Sequence, residues 1–226
     1  MNWTDKGILL SKNKFQENST IVNFYTKNHG KCSGIIFGAS SKKIKNYLQI
    51  GNELFLNYNL KSLNNMGHFK IEIFNVRSPN FFDDFQKLNC ITSVMNLLKL
   101  LTAEAQKNIS IYNLIEKFYV IISYQNWLQN YIYWELELYK ILGYDLDFKS
   151  IINKKIIDNK THYVAESSSE KKIVPNFLID KQENVTDMKT LLNGLKIIGD
   201  FLDKTILRPN NISSPISRYH FISSLK

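Results

Sequence analysis

The sequence predicts an α+β protein, a small five-stranded barrel followed by an all-helical domain. Three observations predict it. Short runs of alternating apolar residues fill the first third of the 226-residue chain, helical periodicity replaces them after Pro79, and the charge balance changes at the same place.

Five strands are expected, over Gly7 to Ser11, Thr20 to Thr26, Lys31 to Phe37, Glu53 to Leu60 and His68 to Val76. Alternation is clearest at Phe69, Ile71 and Ile73 and at Leu54, Leu56 and Tyr58, where every second side chain would face one core. Gly30, Gly38, Gly51 and Gly67 fall between strands, where a chain reversal often needs positive φ. Five strands in about 75 residues with little helical pattern among them suggest an OB-fold barrel, with an SH3-like barrel as the second choice.

Beyond Pro79, Ile91, Val94, Met95, Leu98 and Leu101 recur at three and four, predicting a helix from about Phe81 to Thr102. Trp127, Tyr131, Trp134, Leu138 and Ile141 repeat the pattern, and Leu128, Ile132 and Leu142 make the opposite side of that helix apolar, as in the centre of a bundle. Leu114 to Ile122 and Leu191 to Leu202 mark two more helices, and Pro215 suits the first turn of a last short one. The expected domains are 1–79, the barrel, and 80–226, the helical domain. Residues 144–182 fit neither period and read as an irregular insertion with a small hairpin at Ile156 to Ala165.

Hydrophobic residues make up 44% of the chain and charged residues 22%, enough for one large core or two small ones, which sets disorder aside. The formal charge is +9, and its distribution is uneven. Residues 1–80 hold eleven cationic and four acidic side chains, a net +7, whereas the other 146 carry 18 against 16, a net +2. A polyanionic partner for the barrel follows. The two cysteines, Cys32 and Cys90, support neither a disulfide framework nor a zinc cluster, which fits a reducing cytoplasm. No apolar run reaches about 18 residues and no charged, then apolar leader opens the chain, so neither a membrane span nor a secretion signal is expected.

Catalytic patterns are sparse. The histidines, His29, His68, His162 and His220, lack metal-ligand spacing, and Gly38-Ala39-Ser40-Ser41-Lys42-Lys43 does not match a nucleotide-binding P-loop. Asp83-Asp84 and Asp145-x-Asp147 are acidic pairs of the kind a metal-dependent nuclease uses, but they sit at an expected helix start and just past a helix end. The positive constellation is Lys31, Lys42, Lys43 and Lys45, on a strand and the loop after it, with Phe37 and Tyr47 nearby. On an OB barrel such lysines track phosphates while aromatic rings stack on unpaired bases, so these six are the candidate DNA-binding residues.

The order of the motifs resembles the bacterial RecO family. Gly7-Ile8-Leu9-Leu10-Ser11, Glu17-Asn18-Ser19-Thr20-Ile21-Val22 and Thr26-x-x-x-Gly30 are similar to that family's opening strands. Gly38 to Lys43 and Leu48-Gln49-Ile50-Gly51-Asn52 resemble its basic loop and "LQPGN" turn, and Trp134 to Leu138 and Leu142 to Asp147 its "WEL" helix end. The resemblance implies a cytoplasmic, nucleoid-associated DNA repair and recombination mediator that is not an enzyme. Such a protein binds single- and double-stranded DNA and anneals complementary strands. It also reads the acidic tail of single-stranded DNA-binding protein and, with RecR, helps load RecA.

By the same resemblance Lys42, Lys43 and Lys45 match the family's basic loop. Many members hold zinc with four cysteines in the insertion, but residues 144–182 contain none, so no metal and no cofactor are expected. Lys189, Lys196, Lys204 and Arg208 are candidates for the cationic rim of a groove that takes a short acidic-hydrophobic peptide. The competing readings are a generic OB-fold nucleic-acid-binding or scaffold protein without annealing activity, and a nuclease that uses the acidic pairs.

Overall fold

The computed structural model describes residues 1–61, 66–146, 148, 152–157, 160–166 and 171–226. They form two compact units, Met1–Ile115 with Pro215–Lys226, and Glu116–Ser214. The change of period at Pro79 is thus a change of secondary structure, and the division by compactness falls later in the chain.

In the first unit, β1 (Asn2–Gln16), β2 (Ser19–Thr26), β3 (Gly30–Phe37), β4 (Glu53–Asn59) and β5 (His68–Asn75) close into a barrel in the order β1-β2-β3-β5-β4. The parallel pairing of Ile35 with His68 makes the closure, and the OB-fold expectation holds. All five strands overlap the segments expected from alternation. β1 is longer than expected because it serves two partners, β4 along Asn2 to Ile8 and β2 along Gly7 to Gln16. Irregular register between Leu9 and Ser11 and between Lys14 and Gln16 bends it around the barrel. Leu9, Val22, Phe24, Leu54, Leu56 and Phe69 fill the interior.

A short helix, α1 (Lys42–Tyr47), follows β3 where a loop was expected. Six residues are too few to display a helical period, and the helix forms because Ser41 caps it and Ile44 and Tyr47 pack onto the barrel core. After a 3-10 turn at Ser78–Phe81, α2 (Phe85–Leu101) begins later than its periodicity suggests, because Asp84 accepts from the Lys87 amide and fixes the N-cap. The last helix, α6 (Ile216–Ser224), runs antiparallel along α2, with Gln86 bonded to the Ser224 carbonyl and Asn96 to the Ser217 hydroxyl.

The barrel is joined to the helices of its own unit by a buried polar network. Glu53 opens β4 and accepts from the Arg77 guanidinium at 2.6 Å and from the Tyr112 hydroxyl at 2.6 Å. Tyr112 lies in the early turns of α3 (Ile109–Ser123), so one carboxylate ties the strand, the turn after β5 and the helix together. Its neighbour Asn52 accepts from the backbone amides of Arg77 and Ser78. Both charged side chains are under a tenth exposed, which makes each dependent on the other.

The second unit contains the rest of α3, α4 (Trp127–Ile141), the sheet β6 (Ile152–Ile157), β7 (Lys160–Glu166) and β8 (Lys171–Val174), and α5 (Met188–Phe201), which runs on through a π turn at Leu202–Leu207. Trp134, Tyr131 and Phe118 cluster inside it, and α4 is buried on several sides, as its two apolar faces predict. Gln129 of α4 donates to the Glu183 carbonyl and accepts from the Val185 amide, pinning the incoming segment. Gly194 is required because a Cβ there would meet the Phe177 ring at 2.5 Å. The insertion expected to be irregular carries three antiparallel strands, β6-β7-β8. β-branched and aromatic residues such as Ile156, Tyr163 and Ile173 favour strands, but interspersed lysines and asparagines hide the alternation. The turn of the expected hairpin, residues 158–159, lies outside the described residues.

Two outcomes follow for stability. Arg77→Met, which strands the Glu53 carboxylate, should cost about 3–5 kcal/mol in urea unfolding, and Tyr112→Phe about 1.5–3. Burial pushes the Cys32 thiol from its ordinary 9.0 up to about 12, and Cys90 is also fully buried. Neither thiol should react with Ellman's reagent at pH 8 until the protein unfolds. Because the folded state keeps the Cys32 proton longer, stability should decline as pH rises from about 9 towards 12.

Candidate nucleic-acid interface

The lysine cluster is set up by the turn that follows β3. Gly38 takes φ +73° to reverse the chain, and the Asn18 carbonyl accepts from the amides of Gly38 and Ala39. The Asn18 side chain receives the Ser40 amide at 3.1 Å and the Ser40 hydroxyl at 2.5 Å. Ser41 then caps α1 through the Ile44 amide. Ile44 and Tyr47 turn towards the core and Leu48 is buried, which leaves Lys42, Lys43 and Lys45 on the exposed side. The Lys43 ammonium lies 5.8 Å from the centre of the Tyr47 ring.

Lys45 also lines a groove of about 390 Å³ with Lys12 and Lys14 of β1, Ser19 and Thr20 of β2, and Ser40. Glu17 is the acidic residue of this groove. Lys12 donates to the Leu48 carbonyl at 2.5 Å just past the end of α1, and its burial lowers its pKa from the ordinary value. Among the described residues, Lys14, Lys42, Lys43 and Lys45 have no acidic partner within ion-pair distance. Sequence reasoning counted Lys12 and Lys14 in the charge balance but left them out of the cluster, because the apolar alternation of β1 stops at Ser11 while the strand continues.

The structure therefore brings Lys42, Lys43, Lys45 and Tyr47 together and adds Lys12 and Lys14. It sets Lys31 apart. That ammonium donates to the carbonyls of Lys99 at 2.8 Å and Thr102 at 2.5 Å and sits 3.9 Å from Glu104, so it caps the C-terminal end of α2 rather than facing a phosphate. Burial lowers its pKa, partly offset by Glu104. Phe37, at the end of β3, is 62% exposed, and its ring lies 6.0 Å from that of His68.

In the second unit Lys189, Lys196, Lys204 and Arg208 are all exposed, and Arg208 pairs with Asp203 at 2.7 Å. They do not line the unit's groove of about 810 Å³, whose walls include Ile121, Tyr124, Tyr133 and Ile179. Three lysines border that groove: Lys117 pairs with Glu137, Lys140 with Asp145, and the Lys181 ammonium lies 5.8 Å from the centre of the Tyr133 ring.

One carboxylate of each acidic pair has a structural partner, Asp84 as the cap of α2 and Asp145 as the partner of Lys140, while Asp147 lies outside the described residues. Among the described residues no group of three His, Cys, Asp or Glu side chains could hold a metal. The four-cysteine zinc site of the resembled family does not fit this chain, whose cysteines are both buried in the first unit.

Residues 1–76 match the family model described as "Recombination protein O N terminal". The chain is 28% identical to a DNA repair protein RecO of Wolbachia pipientis subsp. Culex pipiens over 99% of each chain. It is 27% identical to a DNA repair protein RecO of Ehrlichia chaffeensis over 93% of each. A solved asparaginyl-tRNA synthetase of Entamoeba histolytica aligns at 16% identity over 74% of this chain and 40% of its own, with a TM-score of 0.30.

Lys31→Ala should lower unfolding stability by about 1.5–3 kcal/mol, the usual worth of hydrogen bonds to a charged group. It should leave affinity for an oligonucleotide within twofold of the parent, measured by fluorescence anisotropy.

Proposed function

We propose a function from one premise: the chain belongs to the RecO family of bacterial DNA repair proteins, by the match of its N-terminal region and by relatives of that name along nearly its whole length. Its role is in DNA repair and recombination. More finely, it binds single- and double-stranded DNA through the barrel and anneals complementary strands without a covalent step. It acts at the nucleoid in the cytoplasm.

The observation that carries this reading is the set of unpaired lysines on and beside α1, Lys14, Lys42, Lys43 and Lys45, on a barrel that holds most of the chain's net charge. Two complementary strands repel because each is a line of phosphates. Lysines that replace condensed counterions reduce that repulsion and gain entropy by releasing them, while the base edges stay free to pair. Such contacts are blind to sequence, as a repair protein requires. Exposed ring surface at Phe37 adds stacking on unpaired bases.

The helical unit takes the partner role in this proposal. An aromatic groove walled by Tyr124 and Tyr133, and the cationic stripe of Lys189, Lys196 and Lys204, offer apolar and charged contacts to a short acidic-hydrophobic peptide. The acidic tail of single-stranded DNA-binding protein has that chemistry. RecR would join the same complex to load RecA. No metal or cofactor is needed for any of these steps.

The test is annealing of two labelled complementary oligonucleotides coated with single-stranded DNA-binding protein, across a salt series, for the parent and the Lys42→Glu, Lys43→Glu, Lys45→Glu variant. The parent should accelerate annealing and lose the effect at high salt. The variant should bind DNA at least tenfold more weakly, with a log affinity against log salt slope flatter by roughly two to three, at ~0.7–0.9 per phosphate contact. Coated strands that stay apart, with DNA affinity unchanged in the variant, would overturn the reading.

A further inference from the structure

The outer face of β1, β4 and β5 bears two large aromatic side chains with no apolar cover, Phe55 at 45% and Phe74 at 42% exposure. Their rings meet edge to face at 4.6 Å. Lys6, the cross-strand partner of Phe55, places its ammonium 3.6 Å from the centre of the Phe74 ring and 5.4 Å from that of Phe55. Further along the same face, Asn2, Thr4, Asn57, Asn59, His68 and Lys70, with Trp3, line a largely polar hollow of about 500 Å³. Among the described residues the side-chain amides of Asn2, Asn57 and Asn59 have no protein partner. At the far end His68 meets the exposed ring of Phe37.

These residues follow one another on one side of the pleat. His68, Lys70, Glu72 and Phe74 of β5 point outward together, beside Asn59, Asn57 and Phe55 of β4 and then Asn2, Thr4 and Lys6 of β1. From His68 to Phe74 is six residues of strand, or ~20 Å at about 3.3 Å per residue. That length matches roughly six stacked nucleotides at ~3.4 Å each, within the range an OB-fold occupies. Cations outnumber anions along it, with Lys6 and Lys70 against Glu72.

We propose that this outer β1-β4-β5 face is a second single-strand site, separate from the lysines of α1, in which Phe55 and Phe74 stack on bases. The idea rests on the DNA-binding reading above and deepens it. A face that holds one strand by its bases and another that screens phosphates would present two strands to each other on one small barrel. A protein partner fits this face less well. The core of a protein interface is a contiguous apolar patch depleted in charge, whereas here the Phe55 and Phe74 pair and the Phe37 ring are separated by amides, a histidine and a lysine. Bases along a strand repeat in that alternating way, with a ring to stack and polar edges to bond.

The experiment compares the parent, the Phe55→Ala, Phe74→Ala variant and the Phe55→Trp, Phe74→Trp variant, all as the full chain. Affinity for an unstructured oligothymidine and for a duplex of equal length is measured at low and high salt. Photocrosslinking to an oligonucleotide carrying 5-iododeoxyuridine maps the adducts by peptide mass. The alanine variant should bind the single strand at least tenfold more weakly with the salt slope unchanged, keep its duplex affinity within twofold, and keep the parent's melting temperature. The tryptophan variant should restore binding, and adducts should fall on Phe55 or Phe74. Unchanged single-strand affinity in the alanine variant, or adducts confined to α1 and β2, would overturn the proposal while leaving DNA binding by α1 intact. A parent that binds no oligonucleotide would instead remove the functional reading itself.

Discussion

The buried carboxylate of Glu53 is the constraint on which the first unit turns. It sits at the first residue of β4, accepts from Arg77 just beyond β5 and from Tyr112 on α3, and is almost wholly removed from water. A charge in that position is tolerable only with its partners in place, so the barrel's closing hairpin and the helices of its unit must adopt one arrangement together. Asn52 extends the constraint through the amides of Arg77 and Ser78, and the Ser78 hydroxyl bonds the Ile50 carbonyl. The segment between α1 and β4, which carries the lysine helix at its start, is thereby held against the turn that leaves the barrel.

That anchoring explains how a helix of only six residues persists. An isolated helix of this length does not form in water, and α1 owes its existence to a capping serine, two side chains packed on the barrel, and Lys12 bonded to the carbonyl just past its end. The packing requirement also sets its chemistry. With Ile44 and Tyr47 committed to the core, the remaining positions face solvent, and three of them are lysines. The charge that attracts DNA in this account is the outward face of a structural cap.

Much of this was legible beforehand. The five strands lay under the alternation, and the motif order pointed to the family whose members the chain resembles along nearly its whole length. The helices α2, α3, α4 and α5 showed their period because each is long and has a buried stripe. What escaped was short or interrupted. α1 lacked length, the second half of β1 lacked apolar alternation beyond Ser11, and lysines and asparagines masked the small sheet of the insertion. These failures share a cause, since periodicity reports burial on one face and these segments bury too few residues to show it.

The sequence by itself determined the two kinds of local structure, the concentration of positive charge in the first 80 residues and the family resemblance, because period, charge and motif order are properties of neighbouring residues. It could not sort the lysines. Lys31 caps a helix whose carbonyls lie 68 and 71 positions away, and Lys12 bonds a carbonyl 36 positions away. Lys6 rests on an aromatic ring from another strand, while Lys42, Lys43 and Lys45 stay in water. Only the tertiary structure decided which ammonium groups are already satisfied by the protein and which remain free for a polyanion, because a charge is neutralised by whatever the fold brings within a few ångströms of it.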